Sequence, residues 1–171
     1  MWETIAAEAA AESRLWAEAL RPADERELVA VFSPLAEERY ALGLETIYEG
    51  YLVHYGEPRL FAPPDQDTAL LLGDYLYAHG LVRIASFGDV DAVADLSELI
   101  SLCSQLRAEE ADGEGPLWAA TAALLGAQAL DEQRAALRLH GDASPLEAAA
   151  RAAAGDEAVA RALAAHDLRL R

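Results

Sequence analysis

Apolar residues recur at intervals of three, four or seven through the opening segment, where Trp2, Ile5, Ala9, Trp16 and Leu20 form one stripe and the glutamates fall mostly elsewhere. This spacing predicts a first helix that Pro22 ends. Ser33-Pro34 is a start signal, a serine able to cap followed by a proline whose fixed φ suits the first helical position, and it predicts a helix from about Pro34 to Tyr55. Gly56, Pro58 and Pro63-Pro64 break the pattern. Asp65 or Asp67 can cap a long helix through LLLGDYLYAHGLVRIASF, which Gly88 closes. From Asp89 or Asp91 the next helix carries Val93, Leu96, Leu99, Ile100, Cys103 and Leu106 on a face broader than a one-sided surface helix needs, which predicts a central position.

Ala111 to Pro116, ADGEGP, is the clearest loop, and PLWAATAALLGA after it reads as a buried helix. Ser144-Pro145-Leu146-Glu147 has the form of a capping box and announces a short alanine-rich helix, which Gly155-Asp156 separates from a last helix ending near His166. Glycines and prolines are irregularly spaced, which argues against a solenoid repeat. Alanine, the strongest helix former, is the commonest residue. The expected fold is all-α, a compact antiparallel helical bundle, and 171 residues with 53% hydrophobic content suit a single domain over 1–171 better than two.

Thirteen basic against thirty acidic residues leave a formal charge of −17, and every basic residue is arginine. Such a balance repels phosphate backbones and anionic headgroups, so nucleic acid and membrane surfaces are poor partners. The longest apolar run is too short for a membrane span. Cys103 has no second cysteine for a disulfide or zinc site, and the opening residues lack a signal-peptide pattern; a cytoplasmic location is the expectation. Without lysine, a Walker-type phosphate loop and Schiff-base chemistry are excluded. None of His54, His79, His140 and His166 stands in an HExxH or ExxH pattern. Glu45 and Glu49, four apart on one helix, place two carboxylates side by side, the minimum for sharing Mg²⁺; with no third ligand, a solvated helix face is the expectation.

One segment is more specific. Gly73-Asp74-Tyr75-Leu76 inside an apolar helix resembles the GD[YF]L helix of the class I isoprenyl (trans-polyprenyl) diphosphate synthases. A mid-helix glycine costs about 1 kcal/mol against alanine, and an aspartate buried there needs a partner. His54-Tyr55-Gly56-Glu57-Pro58 stands where that family has an Arg-Arg-Gly-x-Pro turn. Leu96 to Glu109 is similar to its central helix, Thr121 to Ala127 to its Lys-Thr-Ala…Leu-Gly-Ala helix, and Leu139-His140-Gly141 to its Tyr-Gly turn. The resemblance spans about 34–155 and implies the core of the isoprenoid synthase fold.

Its departures matter equally. The first Asp-rich motif, which in the family holds Mg²⁺ and the allylic diphosphate, is replaced by GLETIYEGYLVHYGEP, the clamp arginines by His54 and Tyr55, and the family's lysine before Thr121 by Ala120. No second Asp-rich motif follows. The resemblance therefore implies a non-catalytic accessory or interaction subunit, pairing with itself or a partner through central helices at Val93, Leu96, Ile100, Cys103 and Leu106, with Trp2 and Trp16 as further anchors or simply core. The first alternative is an isoprenoid- or lipid-binding module with Tyr48, Tyr51, Tyr75, Tyr77 and His79 lining a cavity. The second is a Mg²⁺-dependent prenyltransferase with atypical ligands Glu45, Glu49 and Asp74; no cofactor is otherwise expected.

Overall fold

The computed structural model describes residues 1–170, which form nine α-helices and, apart from one isolated antiparallel bridge between Leu20 and Phe61, no β-structure. They are α1 (Trp2–Glu12), α2 (Arg14–Glu18), α3 (Ala41–Tyr55), α4 (Gln66–Ala85), α5 (Val90–Ala108), α6 (Glu114–Ala123), α7 (Asp131–His140), α8 (Ser144–Ala154) and α9 (Asp156–Asp167). The all-α expectation holds. No helix among the described residues is long and apolar enough to cross a membrane.

Several boundaries are set by local chemistry. Asp65 and Asp89 cap α4 and α5, their carboxylates accepting from the Thr68 and Ala92 amides at 2.7 and 3.0 Å. The predicted first helix is broken instead at Ser13, which turns extended while its hydroxyl accepts from the Leu15 amide and caps α2. Ser33-Pro34 starts only a 3-10 turn, Ser33–Leu35, and α3 begins at Ala41. The cause lies in Glu45, whose Oε1 accepts from the Val31 and Ser33 amides and fastens that segment across α3. The expected loop over 111–116 is shorter, since α6 begins at Glu114, and the apolar run after it is helical only to Ala123. No capping box forms at Ser144, because its amide donates to Asp142 while its hydroxyl caps nothing.

α3 occupies the centre that the apolar face of α5 had claimed. Every residue from Gly43 to Val53 is buried. It packs closely on antiparallel α4 through two pairs of glycines, seven residues apart on each helix. Gly50 meets Gly73, and Gly43 meets Gly80. A Cβ on Gly50 would stand 2.9 Å from the Gly73 carbonyl oxygen, and one on Gly80 2.9 Å from that of Gly43. The glycine in the Gly73-Asp74 pair is explained by this close approach. Asp74 itself is exposed, contrary to the burial expected of it.

Two hydrophobic clusters share α3 and α4. The larger runs from Val31 to Ala162, with α5, α6, α8 and α9 contributing. The smaller joins Ile5, Ala9 and Trp16 to Val53, Leu60, Phe61, Leu72 and Leu76. The bridge at Leu20 straps the α1–α2 arm down, through Arg21 N–H to Leu60 O at 2.9 Å and Ala62 N–H to Ala19 O at 2.7 Å.

Candidate functional site

Glu45 and Glu49 meet neither solvent nor an open ligand position. Both are fully buried and close on Arg59, itself fully buried in the segment between α3 and α4. Arg59 Nη1 lies 2.5 Å from Glu45 Oε2, and Nε lies 2.9 Å from Glu49 Oε2. Further hydrogen bonds tie the cluster to the backbone. Arg59 also donates to the carbonyls of Val29 and Glu45, while Glu49 Oε1 accepts from the Leu60 amide at 2.7 Å. The guanidinium lies 4.7 Å from the ring centre of Trp2 and 5.0 Å from that of Tyr48. Burial pulls its pKa down, and the two carboxylates more than reverse this, holding it above its ordinary value. This arrangement is structural, and it corrects both the solvated-face and the metal readings of these glutamates.

Asp74 stands apart from them, 3.3 Å from His54 Nε2. Burial lowers the His54 pKa, with Asp74 opposing. Among the described residues no three His, Cys, Asp or Glu side chains are grouped to hold a metal.

The five side chains expected to line one cavity are divided among three places. Tyr48 and Tyr51 fill the core, packed with Phe32, Trp118 and His166 at centroid separations of 5.1 to 6.0 Å. Tyr75 stacks on Trp16 and on His79, whose Nε2 lies 2.9 Å from Glu8 of α1. Tyr77 packs on His54 with its hydroxyl buried and unpaired. They fill space rather than surround it.

The interface expectation on α5 fares similarly. Leu96, Cys103 and Leu106 are buried in this chain's own core, Val93 and Ile100 are half-buried against it, and the neighbouring helices are α4 and α6. That face is occupied within the monomer. Cys103 is a core residue, and that burial raises its thiol pKa. Trp16 is buried in the smaller cluster, and Trp2 packs on its edge.

The structure assembles a different polar cluster, where α6 begins. Arg107 of α5 donates from Nε to Glu114 Oε1 at 2.7 Å and from Nη2 to the Tyr51 hydroxyl at 2.9 Å. The Tyr48 hydroxyl lies 2.9 Å from His166 Nδ1. Burial raises the Glu114 pKa against the hydrogen bonds from Tyr51 and Arg107 that lower it. Burial first, and then the charge of Arg107, bring His166 down to about 4, so its imidazole is neutral near pH 7. Tyr48 and Tyr51 are raised, chiefly by burial. Perturbed groups of opposite tendency beside a cleft mark a candidate functional site. Two concavities open here, of about 320 and 410 Å³, and Asp112, Glu114 and Leu170 line both.

A second buried pair joins Arg134 of α7 to Asp95 of α5 at 2.9 Å, with Asp95 Oδ2 accepting from the Gly126 amide. Sequence reasoning had passed over Arg59, Arg107, Glu114, Asp95 and Arg134. A signal existed for the first. Two charges inside an otherwise apolar helix require a counter-charge, and Arg59 is the nearest arginine following them in the chain.

No protein-family model, curated protein or solved structure matches this chain.

Proposed function

We propose that the chain is a non-catalytic helical module, an accessory or interaction subunit, which resembles the isoprenyl diphosphate synthases in part of its sequence without their diphosphate chemistry. The observation that carries this reading is the engagement of Glu45 and Glu49 by Arg59. Glu45 and Glu49, the carboxylates at the position where Mg²⁺ was expected, are buried and paired with Arg59 among the described residues. The filled aromatic core weighs against the lipid-binding alternative, because Tyr48, Tyr51 and Tyr77 are buried against other side chains and Tyr75 is stacked on Trp16 and His79. Outward apolar side chains support association. Leu71 and Val82, about three turns apart on one face of α4, are 55% and 65% exposed, and Val90 at the start of α5 is 77% exposed.

Light scattering on the purified chain tests this reading. The expected result is a species well above the 18.3 kDa monomer, or a stable complex with one protein of the source cell, reversed by Leu71→Glu with Val82→Glu while far-UV circular dichroism is unchanged. A monomer that retains no partner refutes the association. Turnover of an allylic diphosphate with isopentenyl diphosphate and Mg²⁺, above a no-protein control, refutes its non-catalytic half. An isoprenoid retained in native mass spectrometry returns the lipid-binding alternative.

A further inference from the structure

We propose that the segment from Leu28 to Ala30 is an unpaired strand edge that takes up an extended apolar peptide of a partner protein, one flanked by basic residues. This deepens the interaction-subunit reading and rests on it, at a surface separate from Leu71 and Val82. Arg26, with φ −79° and ψ 134°, opens a run without helix or turn that lies between two 3-10 turns, Ala23–Glu25 and Ser33–Leu35. Alternate residues of an extended chain turn their backbone groups to opposite sides. On the inner side the Glu27 amide donates to the Arg59 carbonyl at 3.2 Å, the Val29 carbonyl accepts from the Arg59 guanidinium at 2.8 Å, and the Val31 amide donates to Glu45 at 3.2 Å. The alternation leaves Leu28 and Ala30 facing outward, and neither amide nor carbonyl of these two residues has a hydrogen-bond partner among the described residues. Donors and acceptors stand in the order of a β-ladder whose second strand is absent, and an extended main chain is what that order recognises.

The edge is accessible and already held in place. Leu28 and Val29 are 50% and 52% exposed, and Leu28 to Phe32 contains neither the charge nor the proline that ordinarily blunts an exposed edge. The buried pair of Arg59 with Glu45 fastens the inner side, so little ordering remains to oppose binding. A groove of about 290 Å³ runs beside the segment, with Val29, Ala30 and Val31 on one wall and Ala158, Ala162 and Ala165 of α9 on the other. The alanines leave room for the side chains of an added strand. Because α9 forms the far wall, the occupant is a single loose segment and not the edge of a second folded copy. No carboxylate lines the groove, and its one charged residue, Arg161, is paired with Glu157, which suits an uncharged stretch within it. Charge complementarity sets the flanks. Asp24 and Glu25, just ahead of the edge, are exposed and make no ion pair among the described residues, and the whole chain carries −17. Lysine or arginine on either side of the apolar stretch is attracted to this field, and acidic flanks are repelled.

The probe is acetyl-Lys-Val-Ile-Val-Lys-amide, titrated into the full-length chain and followed by calorimetry and by amide hydrogen exchange in NMR. In the free chain the Leu28 and Ala30 amides exchange rapidly while that of Val31 is protected, and saturating peptide protects all three. The same peptide with its three apolar residues N-methylated keeps its charge and side chains but loses its donors, and binds about tenfold or more weakly, as two lost hydrogen bonds imply. Glutamate in place of both lysines also weakens binding. Ala30→Pro removes an outer donor that the folded chain does not use, and lowers affinity about fivefold; should that variant fail to fold, the methylated peptide carries the test. Leu71→Glu with Val82→Glu leaves peptide binding unchanged, so failure of this site and failure of association through α4 are read separately. No binding of the probe, equal binding of the methylated or the glutamate-flanked peptide, or binding without protection of Leu28 and Ala30 each overturns the proposal. Protection of those amides in the chain alone, growing with its concentration, makes a second copy the occupant and overturns it as well.

Discussion

Replacing Arg59 by methionine keeps much of the stem and removes the cation, leaving Glu45 and Glu49 facing each other across a fully buried site. Removing one partner of a buried ion pair typically costs about 3 to 5 kcal/mol. Here it also deprives the Val29 and Glu45 carbonyls of their guanidinium donors and strips the cation from between Trp2 and Tyr48. Against a total stability of about 5 to 15 kcal/mol, the loss is about a fifth or more. For a chain of this length each kcal/mol lowers the melting midpoint by about 2 to 4 °C, so a fall of roughly 6 to 20 °C is expected. Urea denaturation followed by circular dichroism measures it, with tryptophan emission reporting release of Trp2. The decisive comparison is a triple variant, Glu45→Gln, Glu49→Gln and Arg59→Met. Its amide oxygens still accept from the Val31, Ser33 and Leu60 amides, the Val29 carbonyl is free to accept from an amide, and no charge remains. Since replacing a whole buried ion set is often neutral, the triple variant recovers most of what the single one loses. Arg59→Met within about 1 kcal/mol of the parent, or a triple variant no better than the single, refutes the reasoning.

Other expectations follow from the same geometry. His166 has its pKa depressed from 6.5 to about 4 in the folded chain, so between those values the unfolded state binds the proton and the folded state does not. Its contribution is complete above about pH 6.5 and is lost as the pH falls to about 4, by about 3 kcal/mol. The difference in denaturation free energy between the parent and His166→Phe, taken across that window, reads it out, and parallel curves would contradict it. Gly50→Ala gains about 1 kcal/mol of helix propensity yet drives a methyl onto the Gly73 carbonyl; a net loss of about 1 to 2 kcal/mol in urea titration is expected, and a stabilised variant would refute the close helix contact. Tyr77→Phe removes an unpaired buried hydroxyl and leaves stability unchanged or raised by up to about 1 kcal/mol, so a clear loss would show a bonding partner for that oxygen.

Local signals were legible along the chain wherever the deciding groups lie within a few residues of one another. Of the two aspartates offered at each start, Asp65 rather than Asp67 and Asp89 rather than Asp91 cap α4 and α5, Gly56 ends α3, and Gly155 parts α8 from α9. The centre was misread because α3 carries two glutamates, which makes a helix buried on all sides look half solvated, while α5 with its leucines looks more apolar than it is central. The compensating Arg59 stands ten and fourteen residues further on, past Gly56 and in a segment without periodicity. Aromatic spacing had the opposite weakness. It grouped Tyr48 with Tyr51 correctly but could not show that Phe32, Trp118 and His166, from three separate segments, occupy the space between the helices. The cleft at α6 had no local signal, since Arg107, Glu114 and His166 come from three helices and gain their chemistry only by burial together.

The absence of lysine gains a structural meaning from the interior. Arg59 reaches two carboxylates and two carbonyls, Arg134 reaches Asp95 Oδ1, the Asp95 carbonyl and Thr121, and Arg107 joins Glu114 to Tyr51. Each joins elements that are distant in sequence, and each does so with separate nitrogens of one rigid fork. A lysine offers the same charge from a single point and cannot hold two carboxylates apart while donating to backbone on either side. Arg59→Lys is therefore expected to fall between the parent and Arg59→Met in urea stability, because the charge is kept while the fork is lost. A lysine variant as stable as the parent would show that charge alone holds Glu45 and Glu49, and would remove the reason for an arginine there. The interior thus depends on a few arginines placed against buried acids, and most of the −17 net charge belongs to the surface.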